Sequence, residues 1–292
     1  MLQLSQGHLN LLETCPRKFQ HTYLEQLGIL TTPEQQERLL VGSRFHQLMQ
    51  QRELDLPIAP LLQADPQLQS WYTAFIQSAD RILSLEAEAN SIVTRQSEYP
   101  LSLEFTVPWM QPSGASASQT YLLVVVYDLL ISGEKQARIL DWKTYARPHQ
   151  GQGLQRNWQT RLYPFVLAET SHYLPEQISM TYWFFQSQNL PTQTDPLQSD
   201  RSHPPEPQSL NFPYSTAQHQ QTCQDLLQLL SQLTQWLEDY QRGIPLPQVP
   251  PNQGDCQHCT FAPRCHRREE SDLVDDRASI IPMLSNIQEV AL

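Results

Sequence analysis

The sequence predicts an α/β fold, a mixed central sheet flanked by helices in a three-layer core, formed by one domain over residues 1–268. Three observations predict it. Helical periodicity dominates the first 90 residues and the stretch 215–242, whereas residues 92–144 and 178–186 are rich in β-branched and aromatic side chains. Helices precede and follow a nearly unbroken apolar segment at 120–131, which suits a sheet covered on both faces. At 292 residues and 39% hydrophobic content, the chain is long enough to bury a sizeable core.

In order, residues 4–27 carry Leu9, Leu12, Phe19, Tyr23, Leu24 and Leu27 at roughly helical spacing. A break is expected near Cys15, because Pro16 removes a backbone donor. A helical region at 33–91 follows. Its first helix, 34–53, contains Gly42-Ser43-Arg44-Phe45-His46, and its second, 66–90, places Trp71, Phe75, Ile82 and Leu83 on one stripe. The core region is 92–186. It starts with a strand at 92–109, a Pro/Gly/Ser/Ala loop at 112–119 and a strand at 120–131 buried on both faces. A turn at 132–135 leads to a partner strand at 137–144. A helix at 154–170, kinked at Pro164, then leads to a strand at 178–186. Residues 187–207 are polar and proline-rich and read as a flexible loop. A short strand at 209–214, a long helix at 215–242 and a proline-rich connector at 244–254 follow. A cysteine motif at 252–268 and an acidic tail at 269–292 complete the chain.

The formal net charge is −11, which by itself disfavours nucleic acid, although a local basic groove can sit on an acidic protein. The only lysines are Lys18, Lys135 and Lys143. No apolar run approaches the ~20 residues of a membrane span, and the first residues lack the pattern of a signal peptide. The expectation is a cytoplasmic protein with reduced cysteines and no membrane association.

Asp128 lies inside the apolar strand, where a carboxylate costs several kcal/mol unless it is paired or binds a cation. Asp141, after Ile139 and Leu140, poses the same problem. A hairpin brings the two aspartates together. Lys143 shares the face of Asp141, because residues i and i+2 of a strand point the same way. Converging carboxylates suit Mg²⁺ or Mn²⁺, which activate water, with a lysine to offset developing charge. A buried Asp–Lys ion pair explains the same residues. His46 offers an imidazole, and Gln159 and Tyr163 lie four apart on one helix face.

Cys256-x2-Cys259-x5-Cys265 has ligand-like spacing and lacks one of four ligands. Cys223 lies in an amphipathic helix and reads as a core residue, and the fifth cysteine, Cys15, sits in Thr-Cys-Pro-Arg-Lys-Phe. Locally the set serves zinc, with His258 or His266 as substitutes, or an iron–sulfur cluster equally well. If the four cysteines meet, Arg17, Lys18, Arg264, His266, Arg267 and Arg268 gather into one basic patch. Arg156 and Arg161 are further DNA-binding candidates on the Gln-x3-Tyr helix.

The order Gly-x3-His46, Asp128, Asp141-x-Lys143, Gln159-x3-Tyr163 resembles the PD-(D/E)XK nuclease superfamily, in particular its RecB-type exonuclease branch. The resemblance covers about residues 5–268. It implies a metal-dependent deoxyribonuclease, acting as an exonuclease on DNA ends or single strands in repair, recombination or CRISPR-type processing. It implies that His46, Asp128, Asp141 and the Trp142 carbonyl bind metal and that Lys143 assists the attacking water. Gln159 and Tyr163 would face the DNA and the site. It further implies a [4Fe–4S] cluster on Cys15, Cys256, Cys259 and Cys265, with zinc as the alternative occupant. The family often has Gly-x-x-Asp at the first aspartate, where this chain has Val125-Val126-Tyr127-Asp128, and an acidic residue upstream, for which Glu98 is favoured over Glu104. Two alternatives accompany this reading: a catalytically weak DNA- or partner-binding module, and the nuclease subunit of a helicase complex. The chain has no Gly-x4-Gly-Lys-Ser/Thr phosphate loop, so a motor would be a separate protein.

Overall fold

The computed structural model describes residues 1–28, 32–84, 92–110, 114–186, 206–250 and 256–267. A short strand, β1 (Leu2–Leu4), opens the chain, followed by α1 (Gln6–Thr14), α2 (Pro16–Phe19) and a π-helical turn over Gln20–Leu24. The break falls at Cys15, whose backbone is extended ahead of Pro16. β1 pairs in parallel with a later strand and was not anticipated, because three residues show no alternation.

The helical region comprises α3 (Pro33–Glu53), α4 (Ala59–Ala64), α5 (Pro66–Gln77) and α6 (Ala79–Leu83). Local chemistry sets its boundaries. Thr32 and Gln35 close a capping box at α3, with Thr32 accepting from the Gln35 amide and donating its own N–H to the Gln35 side chain. Asp65 caps α5 by accepting from the Gln67 and Leu68 amides, with Pro66 at the first helical position. The expected single helix at 66–90 is instead interrupted at Ser78, and 85–91 lie outside the described residues.

The sheet contains β2 (Ile92–Met110), β3 (Ser116–Gly133), β4 (Ala137–Ala146), β5 (Ile178–Gln186) and β6 (Gln208–Pro213). Its order is β1-β3-β4-β5-β6, with β2 also on β3. β1/β3 and β4/β5 are parallel and the other pairs antiparallel. The sheet is therefore mixed, as expected. β3 begins at Ser116, four residues earlier than predicted. It is buried on both faces only around Leu129–Ile131. From Tyr121 to Asp128 buried and half-buried residues alternate, so that half has one covered face.

Between β4 and β5 lie α7 (Gln152–Arg156) and α8 (Trp158–Thr170), separated by Asn157, which caps α8 by accepting from the Gln159 amide. α8 carries Pro164, where a kink is expected, within its length. The long α9 (Thr216–Gln241) follows β6. Two cores result, one on each face of the sheet. α1, α2, α8 and α9 cover one face, burying Phe19, Trp158, Phe165 and Leu230 against Tyr121, Tyr127 and Tyr182. α3, α5 and α6 cover the other, burying Phe45, Trp71 and Phe75 against Trp142, Trp183 and Phe185. Each such aromatic contributes roughly 2–3 kcal/mol by removal from water. The arrangement is helices, sheet, helices, the three-layer plan predicted. The expected flexible loop falls almost wholly on 187–205, and the acidic tail is 269–292, both outside the described residues.

Candidate active site

The site lies where α3, β2, β3, β4 and α8 converge. Gly42 sets the approach of α3, since a Cβ there would sit 3.3 Å from Thr144 Oγ1 of β4. One helical turn later, His46 presents Nδ1 3.2 Å from Asp128 Oδ1 and 4.0 Å from Glu98 Oε1. His46, Glu98 and Asp128 offer ligand atoms all within 4.8 Å of one another, a grouping that fits one cation.

A backbone irregularity creates this grouping. Along β3, Leu123, Val125 and Tyr127 belong to the α8-side core, whereas Leu129 and Ile131 belong to the α3-side core. The alternation thus changes phase at Asp128. On β2 the same change separates Arg95, which pairs with Glu53 of α3, from Tyr99, which packs on the α8 side. Ser97↔Leu129 and Tyr99↔Tyr127 are in register, which sets Glu98 opposite Asp128. Glu98 adopts φ +47°, a left-handed conformation unusual for a residue other than glycine. Such a conformation costs of order 1–3 kcal/mol and concentrates at functional sites. Here it delivers two carboxylates to one histidine. Glu104, six residues on, is exposed opposite Leu122, away from this group. The bulky Val125, where the family often has glycine, is buried in the α8-side core.

Asp128 is fixed from its other oxygen: Oδ2 accepts from the Trp142 N–H at 2.7 Å. The contact seen at Trp142 is therefore through its amide, while its indole packs edge-on to Phe75. Hairpin pairing runs to Leu129↔Leu140, one residue short of Asp128 and Asp141.

Asp141 is 1% exposed and Lys143 3%. Lys143 Nζ lies 2.8 Å from Asp141 Oδ1, Gln159 Nε2 donates to Asp141 Oδ2 at 2.5 Å, and Lys143 Nζ donates to Gln159 Oε1 at 3.2 Å. The three side chains form a closed triangle. Gln159 stands in the first turn of α8, where the partial positive charge of the helix start favours the Asp141 carboxylate. Lys143 also lies 5.4 Å from the Tyr182 ring centre. Burial, reinforced by Asp141, raises the Tyr182 phenol well above its ordinary pKa, so it stays protonated and bonds Thr160 at 2.7 Å. Among the described residues, Asp141 lies outside the tight His46–Glu98–Asp128 group. Tyr163, one turn beyond Gln159, is buried with its ring edge-on to Tyr127.

The cysteines come together in part as expected. Cys15, Cys256, Cys259 and Cys265 line one pocket with Lys18 and Arg267. Cys223 sits apart on α9, against the core. Burial raises the Cys259 and Cys265 thiols, opposed at Cys259 by a hydrogen bond from the Phe261 backbone and then by Lys18, and at Cys265 by Arg17. Arg17 is tied to the C-terminal connector, with Nε donating to the Leu246 carbonyl at 2.6 Å and its amide to that of Pro247. Of the other basic candidates, Arg156 is exposed at the end of α7. Arg161 is engaged by Asp225 and lies over Trp158. Arg268 is outside the described residues.

No curated protein matches the chain. A family model does, over residues 3–266, from β1 to just past the last cysteine, and it spans the His46–Glu98–Asp128 group, the Asp141–Lys143–Gln159 triangle and the four pocket cysteines. The chain belongs to the PD-(D/E)XK nuclease superfamily, whose metal-dependent phosphodiester chemistry the His46–Glu98–Asp128 group suits.

Proposed function

We propose that the chain is a Mg²⁺- or Mn²⁺-dependent deoxyribonuclease of the RecB-type branch, acting as an exonuclease on DNA ends or single strands. The observation that carries this is the convergence of His46, Glu98 and Asp128 beside the buried Asp141–Lys143–Gln159 triangle. A divalent cation at the first group supplies Lewis acidity and an activated water. His46, Glu98 and Asp128 would hold it, and Asp141 and the Trp142 carbonyl are the additional ligands that the family resemblance implies. The Trp142 amide fixes the Asp128 carboxylate. Lys143 holds an ammonium where negative charge grows on the phosphate, and Gln159 keeps it beside Asp141. Tyr163 supports the turn of α8 that carries Gln159. Arg156, exposed at the end of α7, is the stronger of the two α7–α8 arginines for phosphate contact, together with Lys18, which lines the cysteine pocket, and its neighbour Arg17.

The same reading assigns a [4Fe–4S] cluster to Cys15, Cys256, Cys259 and Cys265. The pocket that all four line supports it. Its role is structural, joining residues near the two ends of the domain. Zinc is the competing occupant, and iron content separates the two. Repair, recombination or CRISPR-type processing is the setting we favour, in the cytoplasm and with a separate helicase as the candidate partner. No helix among the described residues is long and apolar enough to cross a membrane.

One observation favours a second reading, a DNA-binding module with weak catalysis: Asp141 is held by Lys143 and Gln159 outside the tight metal group. A single experiment tests both. Protein purified without oxygen is assayed for iron, titrated with Mn²⁺, and incubated with end-labelled DNA. Metal-dependent cleavage that disappears in Asp128→Asn, with folding intact, supports the nuclease. DNA binding without Mn²⁺ uptake or cleavage overturns it in favour of the binding module.

A further inference from the structure

Asn10 was not among the residues that the sequence singled out. It is half-buried on α1 and reaches the start of α8, 147 residues away in sequence. Its Oδ1 accepts from the Trp158 amide at 3.0 Å, and its Nδ2 donates to Asn157 Oδ1 at 3.0 Å. Asn157 Oδ1 also accepts from the Gln159 amide at 2.8 Å. A backbone N–H faces each of these oxygens and only donates, so neither side-chain amide can be turned over. The first amides of a helix have no partner within it, and an N-cap side chain ordinarily serves the second or third. Here the cap serves the second, Gln159, while α1 serves the first, Trp158.

This brace ends on the residue that closes the buried triangle. Gln159 Nε2 donates to Asp141 Oδ2 at 2.5 Å, and Gln159 Oε1 accepts from Lys143 Nζ at 3.2 Å. Both contacts depend on where the first turn of α8 stands relative to β4. Apolar packing secures the helix as a whole, through Trp158, Leu162, Phe165 and Val166. Such packing is non-directional, whereas hydrogen bonds weaken steeply with distance and angle. The Asn10 bonds therefore set the first turn more finely than the core does. A second contact between α1 and α8, from Glu13 to Arg161, is 4.0 Å long and half exposed on the Glu13 side, so it fixes little.

We propose that Asn10 is a positioning residue of the active site. Through the Trp158 amide and the Asn157 cap it fixes the first turn of α8, and thereby holds Gln159 between Asp141 and Lys143. The inference rests on the nuclease reading above, in which the Lys143 ammonium stands where negative charge grows on the phosphate. The Asn10 bonds go to α8 and not to the His46–Glu98–Asp128 group, so their loss lowers kcat and leaves metal affinity alone. A displacement of about 1 Å that originates far from the chemistry can cost about 100-fold in rate.

The test uses the full chain, purified without oxygen, with Mn²⁺ and end-labelled DNA. Asn10→Ala removes both bonds. Asn10→Asp has the same shape and keeps the acceptor for Trp158, but sets an oxygen against Asn157 Oδ1. Glu13→Ala removes the other contact between α1 and α8. Expected in Asn10→Ala are a kcat about 10–100-fold lower, KM and Mn²⁺ affinity as in wild type, and faster exchange of the Trp158 and Gln159 amides by NMR. Asn10→Asp is expected to lose less, and Glu13→Ala nothing. If Asn10→Ala fails to fold, Asn10→Asp carries the same comparison. In a Gln159→Ala background, Asn10→Ala is expected to add no further loss, because both act through one side chain. An unchanged kcat in Asn10→Ala, or a loss that adds to that of Gln159→Ala, overturns the role of Asn10 and leaves the nuclease standing. A wild type that cleaves no DNA overturns the nuclease reading, and the inference with it.

Discussion

Replacing Lys143 with methionine keeps the length of the side chain and removes its charge. Asp141, 1% exposed, would then lose the cation 2.8 Å from its Oδ1, while Gln159 still donates to Oδ2. Breaking a buried ion pair from one side costs about 3–5 kcal/mol, because the remaining charge is uncompensated. For a chain of this size, each kcal/mol lowers the melting temperature by about 2 °C, so Lys143→Met should melt about 6–10 °C below the parent. Asp141→Asn strands the ammonium instead and should cost a similar amount. The double variant carries no buried charge and should fall within about 2 kcal/mol of the parent, so the two single costs do not add. Denaturant unfolding followed by tryptophan fluorescence, with chelator present, measures all four proteins. Additive costs, or a Lys143→Met variant that melts within a degree or two of the parent, would refute the coupled buried pair.

Other perturbations read different parts of the site. Glu98→Gly removes a left-handed glutamate at φ +47°, so stability should stay within about 1 kcal/mol of the parent while calorimetric Mn²⁺ affinity falls. Gly42→Leu places a side chain against Thr144 and should push α3 and His46 outward, weakening Mn²⁺ binding on the order of tenfold, whereas Gly42→Ala should be close to neutral. Cys15→Ser should lower the iron content of the purified protein, whereas Cys223→Ser, on α9, should leave it unchanged.

Much of the site was legible because its signals are local or periodic. The Gly-x3-His spacing follows one helical turn, and Asp-x-Lys follows strand alternation. The pairing of β3 with β4 followed from a hairpin whose turn residues could be read. Glu98 was harder to place, because nothing in a glutamate's neighbourhood marks a left-handed backbone, and the phase change across β2 and β3 is a property of two strands together. β1 escaped because its three residues are ordered by a partner more than 110 residues away in sequence. The interruptions at Ser78 and Asn157 were masked by apolar residues that keep helical spacing across them. β3 read as doubly buried because valine and leucine also occupy its half-exposed face. Asn10 remained hidden since its partners at the start of α8 lie 147 and 148 residues away in sequence.

The ties among Arg17, Gln20 and the Leu246–Pro247 backbone link residues made early in synthesis to residues made late. Cys15 leaves the ribosome 241 residues ahead of Cys256 (256 − 15). At translation rates of ~5–20 residues per second, the first thiol waits roughly 12–50 s for its companions. During that interval the elements carrying His46, Asp128 and Gln159 are already free of the ribosome and can pack, while α2 and the π-turn lack the connector that covers them. The nascent chain thus exposes a lone cysteine beside an uncovered helix end throughout that interval.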